Sequence, residues 1–116
     1  MIQITLKQGE VEVKGHAGYA EHGKDIVCAA VSALTATFAG SIAELGCGCV
    51  DEEVSGLARI RYDQENSNAV LLVRFFEIGM QMISEEYPEY VALSSRVLFY
   101  ILRNWIRQWK KQKMLF

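Results

Sequence analysis

From Ile26 to about Leu45, apolar side chains recur at steps of three or four: Val27, Val31, Leu34, Phe38, Ile42 and Leu45, close behind an aspartate. That spacing lines one side of a helix with a stripe that has to be buried, so the chain must supply an apolar surface to receive it. Asp25 is the expected N-cap, because a carboxylate there accepts from the unpaired amides that open a helix. Gly46-Cys47-Gly48-Cys49 is the expected stop, with glycine available for the left-handed backbone that ends helices.

The receiving surface is a sheet. Ile2, Ile4 and Leu6 alternate with polar residues, Lys7-Gln8-Gly9 makes a turn, and Val11 and Val13 alternate with Glu10, Glu12 and Lys14, which predicts a hairpin. Leu57 to Tyr62 and Ala69 to Phe75, separated by the polar stretch Asp63 to Asn68, predict a second hairpin, and Asp51-Glu52-Glu53 reads as a solvated loop before it. A second helix is expected from Phe76 to Tyr87, with Phe76, Met80 and Ile83 on one face, Met80 and Met82 as core filler, and Pro88 closing it. Strand pair, helix, strand pair, helix gives a two-layer α+β domain over residues 1–90, an antiparallel four-stranded sheet with the helices packed on one face.

Residues 91–116 read as a basic amphipathic extension. Ser94 or Ser95 is a candidate cap for a third helix with Val97, Ile101, Trp105 and Trp109 on one side and Arg103, Arg107 and Lys110 elsewhere. A dimer or partner helix, a basic segment touching RNA or a membrane surface, and a non-native or disordered end are three uses of that pattern. Every acidic residue lies at or before Glu89, so the net charge of −2 conceals an acidic body and a basic tail.

At 116 residues the chain holds one core, and its three cysteines, Cys28, Cys47 and Cys49, are an odd number without a cationic and apolar leader. A reduced, cytoplasmic protein is expected. No apolar run is read as reaching the roughly 20 residues that cross a bilayer, so no integral membrane protein is expected. Cys47 and Cys49 lack the second pair or spaced histidine of a zinc site, and no metal or cofactor is expected.

The chemistry concentrates between Gly15 and Ser32, GHAGYAEHGKDIVCAAVS. With Asp25 as cap, Cys28 falls in the first helical turn, where free amides and the helix dipole favour a thiolate. Lys24 adds positive potential. A cysteine nucleophile needs an imidazole to take and return a proton, and His16 and His22 both serve on chemistry alone. Gly15, Gly18 and Gly23 let the intervening loop bend around a peptide. Ser32 lies one turn below Cys28, either as a hydrogen-bonding member of the site or as a small residue for close packing. Amides near Val27 and Cys28 are candidates for an oxyanion, and Asp25 is read as a cap rather than the third member of a triad.

This string resembles the signature of the ribosomal-processing cysteine protease family, Prp, of Firmicutes and related bacteria: a histidine after glycine, a loop, then Gly-x-Asp-[Ile/Leu]-Val-Cys-Ala-x-Val-Ser. The resemblance is dense from Gly15 to Leu34 and looser from Met1 to about Tyr90. It implies His16 and Cys28 as the catalytic pair, with Gly15, Gly23, Asp25 and Ser32 as supporting motif positions and His22 in the variable part of the loop. It further implies a homodimeric endopeptidase that removes the N-terminal extension of a large-subunit ribosomal protein, cutting after an apolar segment that ends in an aromatic residue. The alternative from another class is a non-enzymatic ribosome-associated binding or assembly factor that makes contact through its basic tail.

Overall fold

A computed structural model describes residues 1–95. The order is β1 (Ile2–Lys7), β2 (Glu10–Gly15), α1 (Ile26–Glu44), β3 (Gly48–Val54), β4 (Leu57–Tyr62), α2 (Ser67–Glu86) and β5 (Val91–Ser95). The sheet runs β3-β4-β2-β1-β5; all its neighbours are antiparallel except β1 and β5, which pair in parallel. It is therefore a five-stranded mixed sheet, not the four-stranded antiparallel one expected from periodicity.

The first hairpin forms as its alternation dictates. Ile2, Ile4 and Leu6 of β1 and Val11 and Val13 of β2 are buried, and Gly9 takes a positive φ of 84° at the turn. The same inward face carries Ile60 of β4 and Val91 of β5, and α1 packs on it through Val27, Val31, Phe38 and Ile42. Leu34 packs beside this core, but Leu45, expected in the stripe, is 54% exposed at the C-cap. Phe38 of α1 meets Phe76 of α2 with ring centroids 4.7 Å apart, joining the helices over the sheet. By length and composition α1 could cross a membrane, with 19 residues and a mean hydropathy of 1.9 over an 18-residue window. This corrects the expectation that no such run exists: small apolar residues fill most of its outward side, where Ile26 is also 57% exposed, while Val27, Val31, Phe38 and Ile42 serve the core.

Two expected elements change identity. The residues Ala69 to Phe75, read as a strand, are the first half of α2. Asn66 caps that helix by accepting from the amides of Asn68 and Ala69, and Ala69, Val73, Phe76 and Met80 form its buried stripe. The acidic run Asp51-Glu52-Glu53, read as loop, lies in β3. Arg59 of β4 bridges Glu12 at 2.9 Å and Glu52 at 3.1 Å on the solvent face, and Arg61 bridges Asp51 at 2.5 Å. These pairs hold the Glu12 and Asp51 carboxyls below their usual range, so acids on this edge are accommodated as strand residues.

Ser94 and Ser95, read as helix caps, stand in β5. The expected helix beyond them, with Val97, Ile101, Trp105 and Trp109, lies outside the described residues. The Ser95 hydroxyl donates to Glu77, a buried carboxyl on α2. Burial raises the pKa of Glu77, outweighing the opposing effects of the Ser95 hydrogen bond and Arg74. The unfolded carboxyl loses its proton at lower pH than the folded one. The folded state thus holds more protons between the two pKa values, and stability falls as pH rises through that window. Glu77→Gln, which keeps an acceptor for Ser95, should flatten this dependence and make the protein more stable than wild type at neutral pH, read as denaturation midpoints from mildly acidic to neutral conditions.

Candidate active site

The end of β2 delivers His16. Gly15 adopts φ of 102°, and its amide donates to the Gly56 carbonyl at 2.9 Å, tying the strand end to the turn between β3 and β4. Only glycine fits here, because a Cβ would lie 2.4 Å from the backbone oxygen of Met1. The bend leaves His16 exposed with its ring over Gly56, whose added Cβ would stand 2.8 Å from the imidazole Nε2. Gly56 thus belongs to the site although nothing near the histidine in sequence announces it. Its only signal is a Ser-Gly turn between two strands.

The residue after the histidine reaches the cysteine. Ala17 is buried, and its amide donates to Cys28 Sγ at 3.3 Å. Backbone carrying His16 and the first turn of α1 are thereby held together across the intervening loop. Cys28 is half-buried, with the sulfur receiving a donor that stabilises negative charge.

Asp25 caps α1 and does more than cap. One carboxylate oxygen accepts from the Cys28 amide at 2.9 Å, and the other accepts from the amides of Tyr19 at 3.0 Å and Ala20 at 3.2 Å. The hydrogen bond from Cys28 is the largest cause of its pKa falling below the ordinary aspartate value, followed among the lowering contributions by those of Ala20 and Tyr19. The aspartate therefore pins the loop to the helix start and serves backbone amides, as expected of a cap rather than a triad member. The Cys28 amide, expected at an oxyanion, is committed to this carboxylate. Tyr19 adds a second anchor, its ring meeting Tyr90 and Tyr87 edge-on at centroid distances of 5.1 and 5.7 Å. Lys24 pairs with Glu21 at 3.1 Å on the exposed side of the loop.

Two grooves meet at Ser32. One, of about 270 Å³, is lined by His22, Gly23, Asp25, Cys28 and Ser32, among others. The second, of about 240 Å³, runs between α1 and the β3–β4 hairpin past Thr35, Glu53, Val54, Gly56 and Leu57. Ser32 is exposed and lines both, so its position favours the surface reading over helix packing. Gly23 takes φ of 88° at the outer rim, with no neighbour that a side chain would strike. The first groove reaches Cys28 and the second reaches Gly56, against which the His16 ring stands; the histidine that lines the first groove beside Cys28 is His22.

The remaining thiols diverge. Cys47 is buried with its thiol toward the Ile42 carbonyl, while Cys49 is exposed beside Asp51. Among the described residues no three ligating side chains gather into a metal cluster.

Comparison with known proteins points to one family from three directions. The family model described as cysteine protease Prp matches residues 1–92. The ribosomal processing cysteine protease Prp of Staphylococcus aureus is 34% identical over 101 residues, covering 80% of this chain and 95% of that protein. The protein of the same name from Mycoplasma genitalium is 27% identical over 97 residues, covering 81% and 95%. Among solved structures, the Staphylococcus aureus protease with a covalently linked product peptide superposes with a TM-score of 0.73 at 30% identity, covering 82% of this chain and 97% of that one. The same protease with a substrate peptide gives 0.66 at 29% identity, with the same coverage.

Proposed function

Because this chain belongs to the Prp family of cysteine proteases, we propose that Cys28 is its nucleophile and His16 its general base and acid, acting on a peptide held in the grooves that meet at Ser32. The observation that carries the assignment is the hydrogen bond from the Ala17 amide to Cys28 Sγ, which ties the residue next to His16 to the thiol. His16 takes the thiol proton and the thiolate attacks the scissile carbonyl. The imidazolium then protonates the departing amine, and water activated by the same imidazole releases the acyl group. The helix N-terminus and the Ala17 amide favour the thiolate before attack. Asp25 fixes the loop and the helix start, and Gly15 and Gly56 set the stand of the histidine.

The substrate in this reading is the N-terminal extension of a large-subunit ribosomal protein, cut after an apolar segment with a terminal aromatic residue. Relatives named for ribosomal processing, one of them solved with a substrate peptide and with a covalent product peptide, support it. A cytoplasmic homodimer is part of the same proposal. The test is mass spectrometry of the extended ribosomal protein after incubation with the wild-type chain and, in parallel, with Cys28→Ala. Loss of the extension at the aromatic residue with wild type alone is expected. An intact extension with both would overturn the substrate assignment.

A further inference from the structure

The acidic run Asp51-Glu52-Glu53 of β3 is divided between the two faces of the sheet. Val50 stands opposite Ile60, whose side chain is buried, and the register then shifts before Glu52, which stands opposite Arg59. Asp51 is the extra residue, a bulge that reverses the alternation beyond it. Asp51 and Glu52 meet Arg61 and Arg59 on the solvent face, whereas Glu53 stands opposite Ala58, and Ala58 opposite Val13 of the core. Residues paired across strands share a face, so Glu53 ends a row on the helix side of the sheet. Without the bulge it would stand among the arginines.

That row borders the second groove, where Val31, Ala36, Val54 and Leu57 supply apolar walls and Glu53 is the one charged side chain among the described residues. Among those residues Glu53 has no ion pair or hydrogen bond, in contrast to both acids beside it. Thr35, 8% exposed, lines the same groove, and its hydroxyl is buried without a hydrogen-bond partner. A helical threonine ordinarily bonds back to the carbonyl of the preceding turn, as Thr37 does to Ala33, so the orphaned hydroxyl is destabilising unless something else meets it. An apolar trough with a carboxylate and a hydroxyl oxygen to satisfy fits a long apolar stem that carries several donors at its tip. We infer that this groove is a specificity pocket for a lysine or arginine side chain of the peptide substrate, with Glu53 as counter-charge and Thr35 as a second acceptor. The inference rests on the peptide substrate proposed above and adds to it a cationic residue near the scissile bond. Ser32, one turn along α1 from Cys28, lines both grooves, so the pocket opens beside the nucleophile. An acidic side chain in the same place would face Glu53 and be rejected.

The test is binding to the full-length chain carrying Cys28→Ala, which leaves the peptide uncut and separates the pocket from the chemistry. Labelled peptides with the aromatic cut site carry lysine, glutamine or glutamate at one flanking position after another, and fluorescence anisotropy gives each Kd. At one position lysine should bind roughly five- to tenfold tighter than glutamine, and glutamate more weakly than either, with the gain shrinking as salt rises. Adding Glu53→Gln should erase the preference and leave the glutamine peptide bound as before, and Glu53→Lys should invert it toward glutamate. Glu52→Gln removes the same charge from the opposite face of the strand and should change nothing. Thr35→Val should weaken the lysine preference in part while raising the melting temperature, because an unpaired buried hydroxyl is lost. Lysine and glutamine bound equally at every position would overturn the inference. So would a preference that survives Glu53→Gln, or one that Glu52→Gln removes to the same extent. Cleavage by the wild-type chain is measured apart from binding, so a failure of the protease reading shows there and not in this preference.

Discussion

Cys28→Ala is expected to reduce peptide cleavage by a factor on the order of 10⁴ or more, the scale on which removing a nucleophile acts, while the domain remains folded. The structural loss is small. Cys28 is half-buried, and the side chain gives up one hydrogen bond, the long one from the Ala17 amide. Its own backbone amide still donates to Asp25, so the cap and the loop anchor persist. With Cys28 as the proposed nucleophile the chemical loss is complete, because no other cysteine lies near: Cys47 and Cys49 follow the far end of α1, and 19 helical residues span roughly 28 Å. His16→Ala should fall nearly as far, and the double variant no further than either alone, since a nucleophile and its base act as one unit. Single-turnover cleavage read by mass spectrometry, with thermal melts beside it, distinguishes loss of chemistry from loss of fold. Cleavage within tenfold of wild type in Cys28→Ala would remove the thiol from the mechanism.

The elements that periodicity placed correctly are those whose outward face is polar or built from small residues. β1 and β2 alternate cleanly, and Val27, Val31, Phe38 and Ile42 of α1 fall on one side. α2 defeated the same reasoning because Leu71 and Phe75 are apolar on its outer side, so residues 69–76 present an almost unbroken β-branched, leucine and aromatic run that imitates a buried strand. β3 failed for the converse reason. Its side chains are mostly exposed and its acids look like loop, but they are matched by Arg59 and Arg61 of a neighbouring strand, and a cross-strand partner cannot be read from the acidic run itself. β5 is parallel to β1, and its short run with two serines carries no turn signal to pair it locally.

Most of the candidate site was legible for a physical reason: it is local in sequence. A strand end, a loop and a helix cap are consecutive, so His16, Asp25 and Cys28 declare themselves within one stretch, and the Asp25 cap is found as its spacing demanded. What escaped is the contact that closes the site from a distance. Gly56 lies 40 positions after His16 and reaches it only because β2 pairs with β4 and the β3–β4 turn arrives beside the end of β2. The same pairing forms the groove between that hairpin and α1, which no linear motif describes.

That distant contact makes Gly56→Ala the more discriminating test of the geometry. The added methyl would sit 2.8 Å from His16 Nε2 and 3.3 Å from Cε1, so the imidazole has to move. The ring is exposed and free to yield, so the fold should survive. The backbone at φ of 78° adds strain of about 1–2 kcal/mol for a residue with a side chain. A displacement of the general base by about 1 Å is worth roughly 10²-fold in rate, and kcat should fall on that scale. Gly46→Ala separates the two effects: Gly46 also holds a positive φ, 63°, at the end of α1, but nothing lies within 4 Å of its added methyl. Both variants should lose comparable thermal stability, and only Gly56→Ala should lose turnover. Equal activity in the two would mean that His16 works from a position the Gly56 methyl does not touch, and the catalytic role of the imidazole as it stands against the β3–β4 turn would have to be abandoned.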